Sequence, residues 1–429
     1  MTMHVSEQLD DQIYSKVSRR IMPILFASFV ASFLDRVNVG FAKLQMMSDL
    51  HFSDTVYGLG AGIFFIGYFL FEVPSNIILH KVGARVWIAR IMITWGIISG
   101  VMMLVNSAAV FYLLRFLLGL SEAGFFPGVI LYLTYWYPAA RRGRMVAVFM
   151  SAVAVSGVIG GPLSGWIMHA MPGVLGLAGW QWLFLIEALP SVLLGVIIFS
   201  YLPDRIADVH WLSDDEKNRL INRIQKEDQS KAQLSLMQVL GNRRLWQLAL
   251  IYFSLVTGLY GVSFWLPTII KFTGIADTLQ IGLLTMIPYA VSAVGMILIG
   301  RSADLHGERR WHLIIPTVVG SAGLLLSTYF DHHTMLAMLG LTVALTGILS
   351  SLAGFWSLPT AFLGGSAAAA GIALINSLGN LAGFVSPYLV GWLKDLTHST
   401  NTGLVMVASM MFFGAVLTAL VPADTANQK

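Results

Sequence analysis

Six ionisable residues stand inside long apolar stretches of this 429-residue chain: Asp35, Arg36, Glu72, Arg115, Glu122 and Glu187. A charge surrounded by hydrocarbon costs several kcal/mol unless it is paired or hydrated, so each residue marks function by default. Arg115 and Glu122 are seven residues apart, two helical turns, on one face and about 10 Å apart along the axis. They are too distant to pair with each other, so each needs a partner from another helix. The adjacent Asp35 and Arg36 are the obvious candidates. Two cations and two acids around a wet cavity form a near-neutral cluster. A carboxylate ligand claims an arginine from that cluster only if an acid lets go, most simply by taking a proton.

Residue type assigns the roles. Arginine's planar fork grips a carboxylate through two hydrogen bonds, so Arg36 and Arg115 are expected to hold an anion. Burial and neighbouring arginines pull a carboxyl in opposite directions, leaving its protonation sensitive to occupancy. Asp35 and Glu122 are therefore expected to carry the coupled proton. The competing reading is a salt-bridge network that only braces helices. Glu72, close to Pro74, suits a conformational or interfacial role, and Glu187 an interhelical hydrogen bond. Enzyme chemistry finds no support: there is no His cluster with metal spacing, no phosphate loop and no nucleophile motif in a credible context. Zero cysteines exclude a disulfide framework, a thiolate metal site and a cysteine nucleophile.

These groups must be positioned by helices in lipid. Hydrophobic residues make up 56% of the chain and charged residues only 11%, against roughly 25% charged in soluble proteins. Apolar runs near the length of about 20 residues needed to span a bilayer recur at 21–43, 56–79, 86–106, 108–137, 145–170 and 180–202. A second set follows at 245–271, 279–300, 312–330, 334–356, 367–392 and 402–421. The expectation is an all-α membrane protein of twelve transmembrane helices in two pseudo-symmetric six-helix halves, 21–202 and 245–421. Residues 1–20, with three acids and no apolar core, read as a cytoplasmic segment and not as a cleavable signal. Residues 203–244 hold 15 charged residues and read as an aqueous linker, in which Ser213 and Glu216 form a capping box opening a short helix. Residues 422–429 form a cytoplasmic tail.

Orientation follows from basic residues. With a cytoplasmic N-terminus, inside segments hold 21 of the 26 Lys and Arg, and outside loops only Lys43, Lys271 and Lys394. That asymmetry is the positive-inside pattern and requires no nucleic acid. It places both termini in the cytoplasm of a bacterium, with the chain in the inner membrane.

The halves echo each other, as in many secondary transporters. Gly300-Arg301-Ser302-Ala303-Asp304-Leu305-His306-Gly307-Glu308-Arg309-Arg310 follows the eighth span, and Asn76 to Arg85 occupies the matching place after the second. The pattern Gly-x3-Asp-x2-Gly-x-Arg-Arg resembles the signature loop of the major facilitator superfamily, although Asn76 and His80 depart from it in the first copy. Arg115-x3-Gly119-x2-Glu122-Ala123-Gly124 and Gly157-x2-Gly160-Gly161-Pro162-x2-Gly165 resemble its fourth- and fifth-helix motifs. Phe33 to Gly40, Gly67 to Asn76 and Ser121 to Gly128 are similar to the anion:cation symporter family, nearest its bacterial permeases for tartrate, phthalate, hydroxyphenylacetate and sugar acids.

That resemblance implies proton-coupled import of an organic carboxylate by alternating access, driven by the proton gradient with no cofactor, and nothing in it requires more than a monomer. It adds Tyr68, Trp356 and Asn376 as polar or stacking contacts to the ligand. The turns with Gly83, Arg85, Asp304, Gly307 and Arg309 are expected to gate the cytoplasmic side, holding the outward-facing state closed. The superfamily's fifth-helix motif has been linked to antiporters, so proton-coupled export of amphipathic compounds stays open as the alternative.

Overall fold

The computed structural model describes residues 2–228, 241–362 and 365–422, so linker residues 229–240 and all but the first residue of the expected tail, Lys429 included, lie outside it. The described residues form eighteen α-helices and no strand. Eleven helical segments are long and apolar enough to cross a membrane. The 33-residue helix Gly365–Thr397 is the twelfth long one. The fold class is the one expected.

The first half contains α1 (Thr2–Val37), α2 (Val39–Leu50), α3 (Asp54–Val82), α4 (Ala84–Val101), α5 (Ala108–Glu122), α6 (Phe125–Trp136), α7 (Ala139–Met150), α8 (Ala152–Ala170) and α9 (Gly179–Tyr201). The linker carries α10 (Asp214–Asp228). The second half contains α11 (Arg243–Ser263), α12 (Leu266–Phe272), α13 (Thr278–His306), α14 (Trp311–Tyr329), α15 (Thr334–Phe355), α16 (Ser357–Phe362), α17 (Gly365–Thr397) and α18 (Thr400–Ala419).

Packing repeats between the halves. Helix α4 lies along α9 as α14 lies along α18, and α3 along α5 as α13 along α15. The two long contacts between halves, α3 with α17 and α8 with α13, are equivalent under the same exchange. Small residues let backbones touch along this seam: Gly161 and Gly165 meet Gly282, while Gly58 and Gly62 meet Pro387 and Phe384. These contacts concentrate at the end of the bundle away from the linker, where Tyr57 Oη donates to the carbonyl of Phe264 at 2.7 Å.

Two glycines set the site. A Cβ on Gly119 would stand 1.8 Å from the carbonyl oxygen of Phe64, so only glycine lets α5 press onto α3 this closely. Gly124, at φ 85°, breaks the span just after Glu122, a conformation in which other residues are strained. At the linker end Gly83 (φ 99°) and Gly307 (φ 62°) reverse the chain, as the paired turns predict.

The expected boundary at residue 20 is not a structural one, because α1 starts at Thr2 and continues into the bundle. Its first turns receive the linker helix. Lys16 pairs with Glu216 at 2.5 Å, and Asp10 pairs with Arg223 and, at 3.9 Å, with Arg219. The capping box forms as predicted: the Ser213 N–H donates to Glu216 Oε2 at 2.9 Å, and the Glu216 N–H to Ser213 Oγ at 3.3 Å.

Candidate functional site

Arg36 occupies the last turn of α1 and Glu122 ends α5, and the two form a buried ion pair. The same carboxylate oxygen, Glu122 Oε1, accepts from Ser32 Oγ at 2.7 Å, while Oε2 is buried without a partner. Arg36 also donates through Nη1 to Tyr260 Oη of α11 at 2.7 Å, a bond that joins the halves. Its guanidinium lies 5.3 Å from the ring centroid of Phe64 and 5.7 Å from that of Tyr68. Tyr68 thus sits beside the Arg36 cation.

Arg115 approaches the same Phe64 ring, at 5.1 Å. It is fully buried, and among the described residues it bonds no acid. Nε donates to the carbonyl of Gly60 and Nη2 to that of Ala61, both at 3.2 Å. Arg36 Nε and Arg115 Nη1 are buried N–H donors without partners. Two guanidiniums face one aromatic ring, a carboxylate pairs with only one of them, and each has an idle donor among the described residues. Buried donors are rarely left unmade, and this set matches what an incoming carboxylate supplies.

Three expectations need correction. Asp35 does not share the arginine cluster: neighbours in sequence on a helix point about 100° apart, and Asp35 faces α4 and α9. There it accepts from Ser191 Oγ at 2.5 Å, Trp95 Nε1 at 2.7 Å and Ser99 Oγ at 3.1 Å. With Glu122 ionised, the arginine site therefore carries one excess positive charge. The partners of Arg115 are backbone carbonyls, reachable because Gly119 brings α5 against α3. The wet cavity is also absent here, since all four charged groups are buried. A small cavity of about 20 Å³ lies at the seam instead, between Leu34, Asn38, Ser164 and Thr285.

Asn376 does not face the arginines. Its Nδ2 donates to Glu72 Oε1 at 2.7 Å, and Ser377 Oγ donates to Oε2 at 3.1 Å, closing α17 onto α3. Glu72 is thus buried at the seam, not interfacial. Trp356 packs on Tyr252 (4.9 Å) and Phe355 (5.5 Å), on the second-half side. Arg85 turns back on its own half: its N–H donates to Asp204 Oδ1 at 2.8 Å, and Nε lies 3.4 Å from Oδ2. Asp304 is exposed and makes no hydrogen bond or ion pair among the described residues, and Arg309 lies half-buried in the same turn.

Sequence reasoning missed a second charged group. Lys43, expected in an outside loop, is buried in α2. It pairs with Asp54 at 2.7 Å and stands 3.3 Å above the Trp265 ring of the other half. Lys394 of α17 reaches the same Asp54 at 2.9 Å, and Asp395 accepts from the N–H groups of Asp54 (3.2 Å) and Thr55 (2.7 Å). This latch ties the halves together at the end away from the linker. The acids Asp54 and Asp395, standing at the ends of outside loops that also carry Lys43 and Lys394, were its only sequence signal.

Comparison with known proteins points one way. Residues 24–387 match the Major Facilitator Superfamily. A putative tartrate transporter of Agrobacterium vitis is 49% identical over 96% of this chain and 95% of its own. A quinolone resistance transporter of Acinetobacter baumannii is 43% identical over 98% and 97%. The crystal structure of a D-xylose-proton symporter superposes with a TM-score of 0.75 at 16% identity, covering 96% of this chain and 100% of that one.

Proposed function

The chain belongs to the major facilitator superfamily, and on that premise we propose that it imports an organic acid anion together with protons. It is a multi-pass membrane transporter and not an enzyme. The observation that carries the proposal is the pair of buried guanidiniums, Arg36 and Arg115, of which only Arg36 pairs with a carboxylate, with idle donors on both. A site with excess positive charge in a low-dielectric interior selects an anion.

In this reading both termini lie in the cytoplasm of a bacterial inner-membrane protein that acts as a monomer. The seam closed by Asp54 then faces the periplasm, so in this reading the chain is closed on that side. When the halves rock the other way, Glu122 takes a proton from outside and releases Arg36. The ligand carboxylate bridges Arg36 and Arg115 over Phe64 and Tyr68, and Tyr260 follows Arg36 as the halves close. Asp35, held by three neutral donors and no cation, takes the second proton role. Rocking back resets Glu122 on Arg36, which expels the anion into the cytoplasm. Asn376 is released to the ligand when the Glu72 contact opens, and Trp356 walls the second-half side. The turns at Gly83 and Arg85 and at Asp304, Gly307 and Arg309 close in the outward-facing state.

The test is uptake into proteoliposomes of labelled tartrate, a sugar acid, phthalate and hydroxyphenylacetate, with and without an outside-acid gradient. Accumulation of one acid only under the gradient, lost in Arg115→Ala and Asp35→Asn, supports import. The second reading is proton-coupled export of amphipathic compounds, which the relative named for quinolone resistance favours. It gains if no acid accumulates while a quinolone is extruded under the reverse gradient.

A further inference from the structure

One buried acid has no part in that scheme. Glu187 lies mid-way along α9 and is 1% exposed. Its Oε1 accepts from Ser164 Oγ of α8 at 2.6 Å, and its Oε2 is buried without a well-formed hydrogen bond, with the Asn38 amide beside the carboxyl. No cation pairs with it among the described residues. A carboxylate held by one hydroxyl and no cation is poorly compensated; a carboxylic acid is not.

Two features connect it to its surroundings. Ser191 follows Glu187 by one helical turn on α9, about 6 Å along the axis, and donates to Asp35. Asp35 is near enough for the two charges to act on each other. On the other side, Ser164 and Asn38 line the cavity of about 20 Å³ at the seam of α8 and α13, together with Ser156, Ser263, Thr285 and Tyr289. Asn38 is 1% exposed, and both its amide atoms lack a well-formed hydrogen bond although it lies beside Glu187. The lining is mostly apolar, but Asn38, Ser164 and Thr285 stand on a space large enough for one water and would be its polar partners.

We infer that Glu187 is a second proton-carrying carboxyl, in series with Asp35 and supplied through the water-sized cavity at the α8–α13 seam. The assignment rests on the proton-coupled reading above and extends it. When α8 and α13 part, the cavity opens to the far side of the bundle. A proton then reaches Glu187 past Ser164 and Asn38 and passes to Asp35 by way of Ser191, each step moving one proton between oxygen atoms. Among the other ionisable groups on the helices against α9, Lys43 is engaged on Asp54, Asp49 on Trp180, His169 on Asp277, Arg85 on Asp204, Arg90 over Trp87, Lys16 on Glu216 and Arg20 on Tyr201. Arg36 is held by Glu122.

Glu187→Gln, which keeps the shape and removes the proton, tests this in proteoliposomes with labelled tartrate. The expected result is loss of accumulation above equilibrium under an outside-acid gradient, with tartrate counterflow retained as proof of a folded, binding protein. Glu187→Asp should recover part of the accumulation. Accumulation by Glu187→Gln equal to the parent's overturns the inference. If the parent itself accumulates nothing, the proton-coupled import of tartrate is what fails. Infrared difference spectra between acid and alkaline buffer decide the matter for Glu187 without any cargo. Glu187→Gln should lack one carboxylic acid C=O band that the parent loses on alkalinisation, and an unchanged spectrum overturns the inference.

Discussion

Replacing Glu122 by Gln mimics the protonated acid at the point where ligand and protein compete. In the structure Glu122 Oε1 holds both Arg36 and Ser32, so Arg36 is not free for a ligand while Glu122 is ionised. A hydrogen bond to a charged group contributes about 1.5–3 kcal/mol, and about 1.4 kcal/mol is a factor of ten in affinity. Glu122→Gln should therefore tighten carboxylate binding at neutral pH by about 10- to 100-fold. The parent's affinity should climb towards that of the variant as pH falls, whereas the variant's should stay flat. The empty variant should also melt earlier, because breaking a buried pair costs about 3–5 kcal/mol, tempered here by Tyr260 and the Phe64 and Tyr68 rings. Equilibrium binding of the transported acid in detergent, titrated from alkaline to acid buffer, measures both effects. Weaker binding by the variant, or a pH slope equal to the parent's, would refute the competition.

Arg115→Met removes charge but keeps bulk; binding should fall by about tenfold or more for each lost charge-assisted bond, with melting little changed. A large drop in melting temperature with binding intact would show a bracing role instead. Asp54→Asn leaves Lys43 and Lys394 facing each other, so the latched end should open more often. In the cysteine-free chain, thiol labelling of Thr285→Cys at the seam should then accelerate by about tenfold, and unchanged labelling would clear Asp54 of a gating role. The Lys16 ammonium beside Glu216 holds that carboxyl below its usual range. A lowered value in the folded state means that its stabilisation is intact above about pH 4.5, the unfolded value, and fades as pH falls through the lower folded one. Hydrogen exchange in Asp214–Asp228 should rise only below that range, and Lys16→Ala should raise it at neutral pH.

Much of this was legible in the sequence because lipid simplifies the problem. Twelve spans, the linker helix with its capping box, and the paired turns at Gly83 and Gly307 follow from hydropathy, cap residues and glycine. Arg36, Arg115 and Glu122 were legible as buried charges, but the membership of Asp35 and the site's wiring were not. Helical spacing placed Arg115 and Glu122 on one face, yet only the close approach at Gly119 reveals that Arg115 reaches the carbonyls of Gly60 and Ala61. The separation of Asp35 from Arg36 could have been read from their 100° offset. The partners Trp95, Ser99 and Ser191 could not, since they are ordinary helix residues brought together by packing. Lys43 looked like a loop cation because an ion pair across the seam leaves no local pattern.

Every buried charge among the described residues belongs to the first half, while the second half buries only neutral polar side chains such as Tyr260 and Asn376. In the proposed cycle the groups that take protons and those that hold the ligand's carboxylate thus share one stretch of the gene, and the other stretch meets them only with neutral side chains. Substitutions in α11 and α17 that spare Tyr260, Asn376 and Ser377, the second-half side chains bonded to Arg36 and Glu72, can reshape that half without removing a partner of a membrane-embedded ion.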